Sequence, residues 1–176
     1  GSFIEKAFEF AAKYRAEGVK LFYNDYNEYA PAKRDHIYNM AKNLYDKGYL
    51  DGIGMQSHYS MDYPNTELVE AAIKKYASIG PNLEIQLTEL DIHNTDNTTE
   101  GNQKLATKYG DLFKMLVRLD RAKEANITGV TFWGLTDDSS WLTNFKGETS
   151  YPLLFDENLI AKAAFNAVID AAKIQG

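Results

Sequence analysis

Four short apolar runs, each closing on a polar cluster and each followed by a segment with helical spacing, set the tightest limit on what this chain can fold into. An amphipathic helix over about residues 3–15 comes first, with Phe3, Ala7, Phe10 and Tyr14 on one face and Gly18 beyond its end. The run at 19–23 leads into the cluster 24–28 and a helix over 31–46. The run at 52–56 closes on Ser57-His58 and precedes a helix over 64–78. The run at 83–87 ends in carboxylates, then a polar loop over 94–102 and a long helix to about 125. The last run, 129–133, opens an aromatic loop to 155 and a closing helix over 159–172. Strand-then-helix units in succession imply parallel strands joined by right-handed crossovers, the α/β class.

The chemistry-bearing residues all follow strands, the rule both for (β/α)8 barrels and for open doubly wound sheets. No G-x-G-x-x-G or G-x-x-x-x-G-K-[ST] follows any strand, and Gly52-Ile53-Gly54 is only a fragment of such a loop. The barrel is therefore the favoured architecture. A complete barrel takes about 250 residues and eight strands, whereas 176 residues supply half of one.

Composition excludes several functions. A formal charge of −6 argues against a phosphate-binding surface, so no nucleic-acid partner is expected. No apolar stretch approaches the ~18 residues of a membrane span, and no basic segment followed by an apolar one opens the chain, which reads as soluble. Without cysteine there are no disulfides and no thiolate-bound zinc; neither a metal nor a cofactor is expected. Gly1-Ser2 reads equally as a cloning remnant or as native loop.

The segment Glu84-Ile85-Gln86-Leu87-Thr88-Glu89-Leu90-Asp91-Ile92 is strand-like and ends in two carboxylates two residues apart. Side chains so spaced on a strand point the same way, which puts Glu89 and Asp91 on one face at the mouth of a sheet; the plainer alternative is an acidic surface pair. Retaining glycoside hydrolysis needs two carboxyl groups about 5–5.5 Å apart, one a nucleophile and one an acid/base. Glu89 fits the first role. Asp91 fits a supporting one, orienting an imidazole such as that of His58. Gln56 and His58 share a face of the preceding strand and are candidates to hydrogen-bond both a sugar and the nucleophile. Trp133 and Trp141, the only tryptophans, fall at or after the last strand, where indoles stack on sugar rings or fill a barrel mouth. Asn24, Asp25, Tyr26 and Asn27 form a polar mouth for sugar hydroxyls or, equally, a turn with an N-cap. Asp91, Asp96 and Glu100, in an Asn/Thr-rich stretch, are a weaker candidate calcium set.

The runs Leu21-Phe22-Tyr23-Asn24-Asp25-Tyr26-Asn27, Gly52-Ile53-Gly54-Met55-Gln56-Ser57-His58, Leu87-Thr88-Glu89-Leu90-Asp91-Ile92 and Thr131-Phe132-Trp133-Gly134-Leu135-Thr136-Asp137, with Trp141, resemble family 10 glycoside hydrolases, the endo-β-1,4-xylanases. The resemblance covers nearly the whole chain. It implies strands five to eight of the barrel, Glu89 as nucleophile, Gln56, His58 and Asp91 as the hydrogen-bonding set around it, and the two tryptophans as walls of the sugar subsites. It further implies xylan or xylo-oligosaccharides as ligand and a secreted protein. One departure matters. The family's acid/base glutamate follows the fourth strand in an Asn-Glu pair, and nothing here matches it; Asn27-Glu28 imitates that pair at the wrong strand. An open half-barrel exposes strand edges that invite pairing, so a complementary amino-terminal half or a homodimer is the expected partner.

Overall fold

The computed structural model describes residues 3–173, so Gly1-Ser2 lies outside the described residues. In chain order the elements are α1 (Phe3–Tyr14), β1 (Phe22–Asp25), α2 (Pro31–Asp46), β2 (Gly52–Met55), β3 (His58–Ser60), α3 (Thr66–Ala77), β4 (Glu84–His93), α4 (Thr99–Arg121), β5 (Asn126–Phe132), a 3-10 turn (Asp137–Ser139), α5 (Leu142–Lys146) and α6 (Ala163–Ala172). Every strand pairing is parallel. β1 pairs with β2, β2 with the first half of β4, and β4 with β5. β3 pairs with the second half of β4, His58 opposite Asp91. β2 and β3 are thus one strand broken at Gln56-Ser57, where Ser57 takes the left-handed φ of 64°.

Spatial order follows chain order without the reversal that marks a doubly wound sheet. With right-handed crossovers this places the helices on one face and leaves the other to line an interior, as in a portion of a (β/α)8 barrel. Register sorts the side chains accordingly. Ile53 lies beside Ile85, and Met55 beside Leu87, all at most 1% exposed beneath the helices. Each such side chain contributes roughly 1.5–3 kcal/mol when fully buried. The opposite face carries Phe22, Gly52 and Glu84 in one row and Asn24, Gly54 and Gln86 in the next. This row is polar: the Thr88 hydroxyl donates to Asn24 Oδ1 at 2.6 Å, and Gln86 Nε2 to Thr128 Oγ1 at 3.1 Å. A Cβ at Gly52 would lie 2.2 Å from the Phe22 ring, so the bare glycine lets that ring lie across the strand.

Several boundaries differ from the sequence reading, each for a local reason. The first strand begins at Phe22 rather than 19, because the Leu21 N–H is taken by the Asp51 carboxylate at 2.7 Å. The third helix begins at Thr66 because Asn65 Oδ1 caps it, accepting from the Leu68 N–H at 3.0 Å. The closing helix begins at Ala163, since Asp156 Oδ1 accepts from the N–H groups of Asn158 and Ile160 and Leu159 turns left-handed at φ 61°. The third strand runs on to His93, so Glu89 and Asp91 lie within it. The loop after β5 holds the 3-10 turn and α5, which lack any periodic apolar signal. No described helix is long and apolar enough to cross a membrane.

Candidate functional site

The break between β2 and β3 builds the site. Across it the Glu89 N–H donates to the Gln56 carbonyl at 3.0 Å and the Asp91 N–H to the Ser57 carbonyl at 3.3 Å. This holds the β4 carboxylates in register with His58. His58 Nε2 then lies 2.8 Å from Glu89 Oε2, and its Nδ1 2.9 Å from Asp91 Oδ1. Ionised carboxylates only accept, so a ring bonded to both carries both protons. Burial opposes that charge, but the Asp91 and Glu89 carboxylates outweigh it and hold the His58 pKa above its ordinary 6.5. Asp91 is fully buried, and its second oxygen accepts the Trp141 indole N–H at 2.8 Å. The imidazole and indole meet edge to face, with ring centres 4.9 Å apart.

Glu89 gives one oxygen to His58 and turns toward a cleft of about 710 Å³. Gln56, His58, Glu89, Trp133, Trp141, Tyr26 and Asn27 all line it, bringing together residues from every strand unit. Trp133 and Tyr26 are 45% and 55% exposed, and the Lys33 ammonium sits 3.7 Å over the Tyr26 ring. Exposed aromatic faces beside a carboxylate suit a ligand with both apolar ring faces and hydroxyls. Among the described residues, Glu89 is the one carboxylate lining this cleft.

The structure places three weaker sequence candidates away from the roles considered for them. Asn24 does not line the cleft; it lies on the open sheet face, bonded to Thr88. Glu28 cannot act as acid on a substrate, because it is only 1% exposed and accepts the Tyr59 hydroxyl at 3.0 Å in the interior. Asp91, Asp96 and Glu100 do not converge on a cation. Asp91 is committed to His58 and Trp141, Asp96 caps the Thr98 N–H at 2.9 Å, and Glu100 pairs with Lys104 at 2.8 Å. No group of three His, Asp or Glu side chains able to hold a metal occurs among the described residues.

Other cleft residues carried no sequence signal. Tyr29, Tyr59 and Tyr63 pack edge to face with ring centres 5.5 and 5.2 Å apart. Phe145, on α5, sits 4.6 Å from Trp141. His93, given no role from sequence, reaches the cleft while bonded to Ser150 at 2.9 Å and near Glu148 at 3.1 Å. Only the strand alternation Glu89, Asp91, His93 pointed to it.

The chain is 48% identical over 171 residues to endo-1,4-beta-xylanase B of Butyrivibrio fibrisolvens, covering 97% of this chain and 27% of that protein. It is 39% identical over 176 residues to an endo-1,4-beta-xylanase of Geobacillus stearothermophilus, covering 96% and 53% respectively. It thus spans between about a quarter and half the length of these relatives. Among solved structures it superimposes on a xylanase from Cellvibrio japonicus with a TM-score of 0.87 at 27% identity, over 98% of this chain and 54% of that one. It also matches the CBM22-1-GH10 modules of the Clostridium thermocellum endo-1,4-beta-D-xylanase 10B, solved with xylohexaose, at TM-score 0.86 and 43% identity, over 99% and 33%. The model of glycosyl hydrolase family 10 matches residues 1–171, and the chain belongs to that family.

Proposed function

We propose that residues 1–176 form one unit, strands five to eight of a (β/α)8 barrel, and that the completed barrel hydrolyses internal β-1,4-xylosidic bonds of xylan with retention of configuration. The observation that carries this reading is the Glu89 carboxylate, one oxygen fixed by His58 and Asp91 behind it, facing a cleft walled by Trp133 and Trp141. Glu89 attacks the anomeric carbon and forms a glycosyl ester, which water then hydrolyses. The acid/base that protonates the leaving oxygen and activates the water comes from outside this chain. His58 and Asp91 hold Glu89 in its attacking geometry, a positioning that static hydrogen bonds supply before the substrate arrives. Gln56, Asn27 and Tyr26 bind sugar hydroxyls and rings beside the indoles, whereas Asn24, bonded to Thr88 on the open sheet face, takes no part. A polymeric substrate supports the reading that the protein is secreted.

The polar face around Asn24 and Gln86 and the unpaired edges of β1 and β5 support a partner that completes the sheet, either an amino-terminal half or a second copy. A second reading is favoured by the lone carboxylate of the cleft: without its complement the chain binds xylo-oligosaccharides and does not cleave them. Activity measured on the pure chain and on the completed barrel, beside calorimetry with xylo-oligosaccharides, separates the two. In the completed barrel Glu89→Ala is expected to lose several orders of magnitude of turnover, part of it restored by azide. Unchanged turnover removes Glu89 from the nucleophile's role.

A further inference from the structure

Beneath the cleft, with Tyr59 alone of the four residues reaching its lining, four oxygens lie in a row. Glu28 Oε1 is 3.0 Å from the Tyr59 hydroxyl, which is 3.2 Å from Ser57 Oγ, which is 3.0 Å from the Met55 carbonyl. Glu28, Tyr59 and Ser57 are at most 4% exposed. Three contacts require three hydrogens. Tyr59 and Ser57 bring one each, and the carbonyl at the end only accepts. We propose that Glu28 is a neutral carboxylic acid supplying the third hydrogen, so that bonds run one way from Glu28 to Tyr59, to Ser57, to Met55, and that Glu28 is thereby a positioning residue for Gln56 and His58.

Two further observations agree. Glu28 Oε2 is buried with no hydrogen-bond partner, a far costlier state for a carboxylate than for the carbonyl oxygen of an acid. Burial also pushes the Glu28 pKa up to about 7, outweighing the backbone N–H groups of Glu28 and Ser57, the Tyr59 hydroxyl and the charge of His58, all of which lower it. The titratable groups that feel this carboxyl are His58 and Tyr59 of β3, Tyr29 beside it and Tyr76 of α3, whose hydroxyl donates to the Glu28 carbonyl at 2.6 Å.

The chain of bonds ends at the break in the β2–β3 strand. Ser57 holds a φ of 64°, which side chains with a Cβ seldom adopt, and it stands between Gln56 and His58. Tying its hydroxyl from both sides fixes the turn that sets His58 against Glu89 and Gln56 in the cleft wall. If Glu28 ionises, Tyr59 donates to the carboxylate, and the Tyr59–Ser57 contact loses its hydrogen. Since the folded pKa lies above the ordinary 4.5, stabilisation by the neutral form is complete below that value and is lost as pH rises through about 7. The consequence for catalysis rests on the hydrolytic reading above; the proton assignment does not.

The test is carbon NMR of the full chain labelled at glutamate carboxyls, with Glu28 assigned by its loss in Glu28→Gln. The expected midpoint is about 7, away from the exposed glutamates. The Ser57 Cα signal, which reads the turn's backbone angles, is expected to shift with that midpoint in the natural sequence. In Glu28→Gln it should stay at its acid-side position, because a carboxamide donates to Tyr59 at every pH. Ser57→Ala frees the Tyr59 hydrogen for the carboxylate and is expected to lower the Glu28 midpoint. A Glu28 signal titrating with the exposed glutamates, a Ser57 signal moving alike in both proteins, or a midpoint unmoved or raised by Ser57→Ala overturns the proposal. None of these readouts needs turnover, so their failure is distinct from failure of the hydrolytic reading.

Discussion

Asp91 and Trp141, 50 residues apart in the chain, are joined by a 2.8 Å bond from the indole N–H to a fully buried carboxylate. The other oxygen of Asp91 holds His58, so one side chain sets both the imidazole behind Glu89 and an indole wall of the cleft. Asp91→Asn leaves one acceptor for two donors and turns an amide N–H toward the other. We expect a loss of about 3–5 kcal/mol, the range for removing one partner of a buried pair. Urea unfolding measures it, and Trp141 emission should change in the same variant.

His58 is expected to titrate above its ordinary 6.5, since its two carboxylate partners outweigh burial. A raised folded pKa means that stability from this group is complete below 6.5 and is lost as pH rises through the folded value. Histidine-resolved NMR reads the midpoint directly. In His58→Asn the corresponding pH-dependent part of the unfolding free energy should vanish.

Trp133 is 45% exposed and makes no side-chain hydrogen bond among the described residues, so its removal costs the fold little. Trp133→Ala is expected to weaken xylo-oligosaccharide binding about tenfold, equivalent to about 1.4 kcal/mol, with an unfolding midpoint close to that of the natural sequence. Trp141→Ala should lower both affinity and stability, because it also strips a donor from Asp91. Calorimetry paired with thermal unfolding distinguishes the two tryptophans.

The open sheet face predicts association. Light scattering on the chain alone should report a dimer or a larger species, and addition of an amino-terminal half should replace it with a one-to-one complex. A stable, well-folded monomer contradicts this expectation.

The strand order and the Glu89–His58–Asp91 cluster were legible because both follow from period: residues two apart on a strand share a direction, and successive parallel strands place their ends together. Asn27 and Tyr26 reached the cleft for the same reason, whereas Asn24 fell one pleat below it, tied to Thr88 on the interior face. Glu28 was set aside because its Asn-Glu pair falls at the wrong strand, but its burial was not legible; the turn at Asn27, with φ 51°, carries Glu28 into the core. The left-handed Ser57 and the Phe145 wall on α5 had no local signal, since each depends on contacts made by distant segments.

As nucleophile, Glu89 forms a covalent bond to the sugar in the proposed reaction. An activated xylobioside carrying fluorine at C2, which slows release of the ester, should label the completed barrel, and peptide mass spectrometry should find one added xylobiosyl mass on Glu89. Label on another carboxylate, or rapid inactivation with no label on Glu89, would contradict the account.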